Sequence, residues 1–420
     1  MTLILFISAG ILLMLGAPVS VAMGLSSLLT ILAAGMKPYI AIQQFFTGVD
    51  STALLAIPFF ILAGDLMNKG GLAKRIINFA AIFVSKFTGG MGMVAIVACM
   101  LFAAISGSGI ATAAAIGGVM TSGFVDNGYK RSYGAAIVGA ASPLGIIIPP
   151  SIAFIVYGIL SKASIGALYK VGIPTGILLG LALLITTYFT AKKHKIPKIS
   201  KGAGSQSLKG VLVDTLVALG TPVIIVGGVF LGVFTPTESA VVAVVYSLIV
   251  GVFVFKEIKL RELPGIFLQS AINSAGIMII IAGASLFAWV MAYLQIPQQA
   301  FATVFGITQN KYLLLFIINV VLLIAGMFMD ASAIQYIGVP LLLPIINVLG
   351  IDLVHFGMII VLNVAIGMMT PPFGLCLFTS TRVLGADLKD TISEIWPFLI
   401  SAIAVLFLVT YFPQIVMWVV

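Results

Sequence analysis

Charge is scarce in this chain: 8% of its 420 residues are Asp, Glu, Lys or Arg, against about a quarter in a soluble domain. That shortfall leaves no room for a water-exposed domain of any size. Cysteine is scarcer still. Cys99 and Cys376 stand in separate apolar segments, with no C-x-x-C or metal-ligand spacing, which excludes a disulfide framework and assigns both to buried small-hydrophobe roles. Histidine occurs twice, as His194 and His355. His194 falls among linker residues and reads as solvated; His355 follows an acidic residue and reads as interfacial, not as a ligand. No H-E-x-x-H motif, Walker loop or dinucleotide fingerprint is found. No organic cofactor is expected, and any work the protein performs must draw on an ion gradient or another subunit.

What the chain has instead is apolar length. It is 61% hydrophobic, with a mean hydropathy of +1.25. Runs of about 20 residues recur throughout, each able to cross a hydrocarbon core of about 30 Å. They are continuous, unlike the alternating segments of a membrane barrel. The fold class is therefore an all-α polytopic membrane protein embedded in a lipid bilayer. The N-terminal "MTLILFISAGILLMLGAPVSVAMG" lacks a basic n-region and reads as a retained span, not a signal peptide. Its apolar run to Met36 exceeds one upright crossing and carries a possible break at Gly16-Ala17-Pro18. The net charge of +9 lies in connections, as the positive-inside bias produces, and implies no nucleic acid partner.

The basic segment 192–210 carries Gly and Ser and is expected to be a cytoplasmic linker. Apolar runs at about 211–234 and 238–255 then return to a second basic cluster, "KEIKLRE", with "FTPTES" and Glu238 on the far side. On either side of this insertion the sequence repeats. "IPPSIAFIVYGILSK", continuing to 189, is similar to "TPPFGLCLFTSTRVL", continuing to 412; both run diproline, short helix, polar break and a span ending in T-Y-F. Upstream, "AAISGSGIATAAAIGGVM" (103–120) aligns with "AGMFMDASAIQYIGVPLL" (325–342), placing Thr112 on Ser332 and Gly118 on Gly338. "FFILAGDLM" (59–67) aligns with "MIIIAGASL" (278–286). Basic flanks (Lys86, Lys130, Arg131) surround the first copy's Gly/Ser feature, whereas Lys311, Asp352 and His355 surround the second. The copies are therefore expected to be inverted, a transporter signature. The resulting division is 1–50 N-terminal, 51–191 repeat one, 192–210 linker, 211–265 connecting helices and 266–420 repeat two.

Each copy should hold a re-entrant helical hairpin, with tips at 105–112 and 325–332, and a discontinuous helix unwound at 144–151 and 366–373. Irregular backbone at membrane depth survives only when buried in protein or lining a cavity. Each diproline removes donors and disfavours helical geometry in the residue before it. The carbonyls of Leu144, Gly145 and Ile148, and of Gly367, Met368 and Thr370, are thereby expected to lose partners. The half-helix that follows would turn a positive dipole end toward an anion, near Ser151 and Phe373. Neutral oxygens without a carboxylate in copy one suit Na⁺ better than a proton relay; Asp330 is the exception, as ligand or as cap. Tight packing of small residues, or ordinary proline kinks, would account for either feature singly. Asp65, Asp126 and Glu238 read as solvated or capping. An intramembrane serine protease using Ser106 or Ser108 with His355 lacks the required glycine, because Ala104 stands two residues before Ser106.

With those motifs in view, the chain resembles the large membrane subunit of the tripartite ATP-independent periplasmic (TRAP) transporters over nearly its whole length. The strings carrying the resemblance are "LLAIPFFILAGDLMNKGGLAKRIINFA", "FTGGMG", "ISGSGIAT", "DNGY", "LGIIIPPSI", "FTPTESAVVAVVYS", "GMFMD" and "GMMTPPFG". The resemblance implies an elevator-type carrier of the bacterial inner membrane, importing an organic acid anion such as a C4-dicarboxylate or sialic acid with a Na⁺ gradient. It also implies two partners: a small four-helix membrane subunit and a soluble periplasmic substrate-binding protein, to which selectivity would be delegated. One departure is Thr112, where many members carry Asp. A stand-alone Na⁺- or H⁺-coupled carboxylate carrier is the alternative.

Two Na⁺ sites are expected. Site one draws on Ser106, Gly107, Ser108 and Thr112 with carbonyls of Gly145 and Ile148. Site two draws on Gly326, Met329, Asp330 and Ser332 with Gly367 and Thr370. The substrate is expected between the hairpin tips, near Ser108, Pro150, Ser151, Thr370 and Pro372.

Overall fold

The computed structural model describes residues 1–196 and 208–420. Most of the expected linker, 197–207, lies outside the described residues. Three helices come first: α1 (Thr2–Met14), α2 (Val19–Ala33) and α3 (Tyr39–Thr47). Gly16, at φ 80°, and Pro18 divide the long N-terminal apolar run into two. A series follows: α4 (Ala56–Lys69), α5 (Leu72–Val84), α6 (Gly90–Ser106), α7 (Gly109–Asp126), α8 (Arg131–Ala141), α9 (Ile152–Ser161) and α10 (Ile165–Lys193). Helices α11 (Leu208–Phe230) and α12 (Pro236–Ile249) form the insertion. The series then recurs as α13 (Leu263–Tyr293), α14 (Ile296–Ile307), α15 (Lys311–Phe328), α16 (Ala331–Val348), α17 (Leu353–Gly367), α18 (Leu375–Leu384) and α19 (Leu388–Tyr411), before the short α20 (Gln414–Met417). Among the described residues no strand occurs, and eight helices are long and apolar enough to cross a membrane.

Side-chain contacts establish that the second series is inverted relative to the first. The C-terminal end of α10 meets the first turns of α19, where His194 Nε2 lies 3.0 Å from Glu394 Oε2. These two long helices therefore run antiparallel. The open end of hairpin α6/α7 sits at the C-terminus of α10, where a Cβ on Gly89 would lie 2.5 Å from Ala191 Cβ. Tyr133, just beyond that hairpin, bonds Thr190 at 2.6 Å. The open end of hairpin α15/α16 sits at the C-terminus of α19, where the Tyr411 hydroxyl donates to the Tyr312 carbonyl at 3.1 Å. The two hairpins consequently open at opposite ends of the molecule. His194, expected to be merely solvated, instead packs on the Tyr133 ring at 4.7 Å and pairs with Glu394.

Buried apolar residues gather into two main cores. The larger runs from α4 through α12 and on through α15–α20; a second joins α1–α3, the start of α4 and α13 to Ile152 and Val156 of α9, Ile296 of α14 and Tyr336 of α16. Large apolar side chains such as Val223, Phe267, Ile279, Val321 and Ile324 remain exposed, forming the rim that lipid covers in a bilayer. Packing between helices in such a setting depends on close van der Waals fit and small residues, because lipid and leucine are equally apolar. Glu238 acts as a cap, closing a capping box with Thr235 at the start of α12, and Asp126 is exposed at the end of α7. Cys99 and Cys376 are both fully buried.

Candidate ion and substrate site

The first hairpin turns at Ser106-Gly107-Ser108. Gly107 takes φ 60°, and a Cβ there would meet the Pro150 carbonyl at 3.0 Å. Ser108 then starts α7 as its cap, accepting from Ala111 N at 3.4 Å. Inside the turn, Ser106 Oγ and Thr112 Oγ1 stand 2.7 Å apart. Thr112 donates to the Ser108 carbonyl at 2.8 Å. The interrupted helix closes on this group from the other side: a Cβ on Gly145 would lie 2.6 Å from the Ser108 carbonyl and 2.7 Å from Thr112 Oγ1. Ser106, Ser108 and Thr112 thus place several oxygens together without a carboxylate, with the backbone of Gly145 packed against them. The carbonyls of Gly145 and Ile148 receive no hydrogen bond among the described residues. Leu144 differs from expectation, since its carbonyl accepts from the amides of Ile147 and Ile148 as the helix tightens into a 3-10 turn.

The second hairpin turns at Met329-Asp330, both extended. Asp330 caps α16, its Oδ1 accepting from Ala333 N at 2.9 Å, and Ser332 follows in the first turn. Gly326 lies inside α15, not in the tip, and packs backbone to backbone on Gly367: a Cβ on Gly367 would lie 2.5 Å from Gly326 Cα. Phe328 meets Phe373 of the break with ring centroids 5.7 Å apart. Here the expectation of partnerless carbonyls fails. Gly367 accepts from Thr370 N, Met368 from Cys376 N, and Thr370 from Gly374 N. Seven residues of break give the chain room to fold back on itself and satisfy those oxygens. Each such carbonyl keeps a second lone pair for a ligand. Both diprolines, Pro149-Pro150 and Pro371-Pro372, are cis.

The residues expected to meet substrate are placed unevenly. Ser151 is fully buried; its hydroxyl donates to the Ile146 carbonyl at 2.6 Å and accepts from Phe154 N, so it serves as the cap of α9. Phe373 is exposed and precedes α18, which starts at Leu375. Pro150 is buried, Thr370 is buried with its hydroxyl on the Ile366 carbonyl, and Pro372 is exposed. Of this group, Ser108 borders an open cavity. That cavity, about 420 Å³, lies between hairpin one and α4/α13, with Asp65, Asn68, Asn273, Ser106 and Ser108 in its wall. Asp65 is therefore no helix cap: it is half-buried in that wall, and its Oδ2 accepts from Ser270 Oγ at 2.6 Å beside the hairpin tip. Gly64, the preceding residue, allows the approach, since a Cβ there would sit 3.7 Å from Ser106 Cα.

Three further polar residues escape a reading of the sequence. Gln335, on α16, is fully buried with neither amide atom hydrogen bonded. Asn363 and Asn319 are fully buried in α17 and α15 and bond to each other at 2.7 Å. Nothing in an apolar run marks which single amide is orphaned. Their isolation among Ile, Leu and Val is the one signal the sequence offers. His355, in the first turn of α17, is buried against the protein with Nε2 2.9 Å from the Val409 carbonyl.

The family model described as "Tripartite ATP-independent periplasmic transporter, DctM component" matches residues 6–415. The C4-dicarboxylate TRAP transporter large permease protein DctM of Pseudomonas aeruginosa is 43% identical over 94% of this chain and 92% of its own length. The isethionate TRAP transporter permease protein DctMQ of Oleidesulfovibrio alaskensis is 40% identical over 99% of this chain, which spans 66% of that longer protein. In three dimensions the chain is similar to the YdaH transporter of Alcanivorax borkumensis, with a TM-score of 0.61 at 15% identity, covering 88% of this chain and 86% of that one.

Proposed function

The chain belongs to the DctM family of TRAP transporter large permease subunits, and on that premise we propose that it imports an organic acid anion across the bacterial inner membrane, driven by Na⁺. Hairpins α6/α7 and α15/α16, with the broken helices, form the moving body; α1–α4 and α11–α13 form the fixed one, and alternating access is an elevator movement between them. The observation that carries this reading is the neutral oxygen cluster of Ser106, Ser108 and Thr112 closed by Gly145. Hydroxyls and carbonyls bind a hard monovalent cation without a proton to exchange, and unwound backbone supplies such ligands in secondary transporters.

Site two is the matching arrangement around Asp330, Ser332, Thr370 and the Gly326–Gly367 contact. The anion binds in the 420 Å³ cavity beside Ser108, where the N-terminus of α7 contributes a positive dipole end. Its relatives are named for C4-dicarboxylate and isethionate, both small organic anions of a size the cavity admits. The partners are a small four-helix membrane subunit and a periplasmic binding protein, and segment 192–210 faces the cytoplasm.

The test is uptake into proteoliposomes holding the permease with both partners, under a Na⁺ gradient or with choline replacing Na⁺. Ser108→Ala and Asp330→Ala should each weaken Na⁺ stimulation. Because Asp330 is a cap worth about 1 kcal/mol, Asp330→Asn, which also caps, separates ion binding from stability. Unchanged Na⁺ stimulation in both alanine variants overturns the site assignment.

A further inference from the structure

A file of polar side chains runs through otherwise apolar core in the second repeat. The Asn363 amide nitrogen donates both to the Asn319 Oδ1 at 2.7 Å and to the Ile359 carbonyl at 2.9 Å. Asn319 in turn donates to Thr410 Oγ1 at 3.1 Å. The Ile359 carbonyl, which can only accept, fixes which way the Asn363 amide points, because exchanging its N and O would set oxygen against oxygen there. Its Oδ1 is left fully buried without a donor. An unpaired buried acceptor costs about 1–3 kcal/mol, so an apolar core should not keep one without a ligand.

Location gives the two ends of the file different surroundings. Thr410 lies in the wall of a cavity of about 660 Å³ that also contains Lys311, Asp352, His355, Tyr411 and Trp418. Asn363, at the inner end, stands one helical turn before Gly367. Gly326 of hairpin two packs against both, a Cβ there lying 2.9 Å from Gly367 Cα and 3.7 Å from the Asn363 carbonyl. The last turn of α17 also presents the negative end of its helix dipole.

The other repeat shows that the fold does not need these residues. The alignment of Thr112 with Ser332 puts Cys99 opposite Asn319, and the diproline alignment puts Ala141 opposite Asn363. Both are buried there, in the same pair of helices. Helix packing alone is therefore met by Cys and Ala, and the amides are an addition confined to copy two.

We propose that Asn319, Asn363 and Thr410 form an access lane by which Na⁺ passes from the 660 Å³ cavity toward the second hairpin, with Asn363 Oδ1 as a cation ligand at its inner end. The proposal rests on the Na⁺-coupled reading above and adds a route and a ligand that reading does not contain. Water alone on Asn363 is the competing outcome of the test.

The experiment follows thermal unfolding of the purified permease while Na⁺ replaces choline at constant ionic strength. Wild type should be stabilised with a saturable midpoint. Asn363→Leu should raise that midpoint by about tenfold or more, the loss of one hydrogen-bond-like contact to a charge, while unfolding in choline is unchanged or earlier, because Asn319 Oδ1 then loses its donor. If Asn363→Leu does not fold, Asn363→Asp should lower the midpoint several-fold, and an unchanged midpoint in that variant overturns the proposal. Thr410→Cys should react with a small cationic methanethiosulfonate, and Asn319→Leu in that background should leave the 410 reaction intact while weakening the Na⁺ response. An inert Thr410→Cys overturns the lane. If wild type responds to Na⁺ and Asn363→Leu responds equally, Asn363 holds only water and the proposal fails alone. If wild type does not respond at all, the Na⁺-coupled reading fails with it.

Discussion

Gln335 combines complete burial with two unpaired amide atoms. Replacing a buried, unsatisfied polar group by an apolar one of similar volume is neutral or stabilising, so Gln335→Met should unfold at the same or a higher temperature, by about 1–3 kcal/mol of gain at most. If Gln335 meets substrate or ion during the cycle, that same variant loses uptake. Calorimetry and uptake on one preparation check the pair of outcomes; lower stability with normal uptake would mean the amide has a partner in the resting protein. Single residues of this type are illegible in sequence because nothing local distinguishes them: Gln335 sits in "ASAIQYIGV", and Asn363 in "IIVLNVAIG". Ser106, Ser108 and Thr112 are legible, because glycines beside hydroxyls in a membrane run signal a turn with oxygens. Asp65 is not, because "GDLMNKGG" looks like a helix end, whereas α4 continues four residues past it and turns its carboxylate inward.

At the scale of the element, the repeated glycines separate into two classes. Gly145 and Gly367, aligned through the diprolines, each take backbone or hydroxyl atoms within 3 Å of where a Cβ would stand. Gly118 and Gly338, aligned just as well, meet nothing nearer than 3.8 Å. Overpacking of this kind costs about 1–3 kcal/mol, so Gly367→Ala should lower the unfolding temperature and uptake together, while Gly338→Ala leaves both near wild type. Equal tolerance at the two positions would mean that the hairpin does not close on the break. The breaks themselves are legible, since two consecutive prolines remove two donors and clash with the preceding turn of any helix that tries to run through them. What the chain does inside a break is not. Removing donors predicts orphaned carbonyls, yet in copy two Thr370, Gly374 and Cys376 supply amides from further along the chain. Arm length is equally hard to read: 17 and 18 residues in α6 and α7 reach most of the way across a core of about 30 Å, so the arms alone do not show that Ser106 and Gly107 are buried while Ser108 borders the cavity.

For the molecule as a whole, the reading depends on hairpin one leaving the fixed body. Gly64 of α4 and Ser106 are close enough for a disulfide, with a Gly64 Cβ expected 3.7 Å from Ser106 Cα. Whatever uptake Ser106→Cys alone retains should be lost in the double variant Gly64→Cys/Ser106→Cys when oxidised and return to the level of that single variant on reduction, each single variant being insensitive to oxidation. Uptake that survives the cross-link would show that the two bodies need not separate there. Inversion of the repeats is legible in outline, from basic flanks on one copy and near-neutral flanks on the other, and the contacts His194–Glu394 and Tyr411–Tyr312 give it geometry. Which apolar faces pack on protein is beyond the sequence, because residues facing lipid and those facing protein are chemically alike.

The central claim is that neutral oxygens gathered by the two hairpins and the two broken helices hold the coupling cation. Equilibrium binding of radioactive Na⁺ to the purified permease tests it most directly. Saturable binding of at least two ions per chain is predicted, with one lost in Thr112→Val; absence of saturable binding, or full stoichiometry retained in Thr112→Val together with Asp330→Ala, would contradict it.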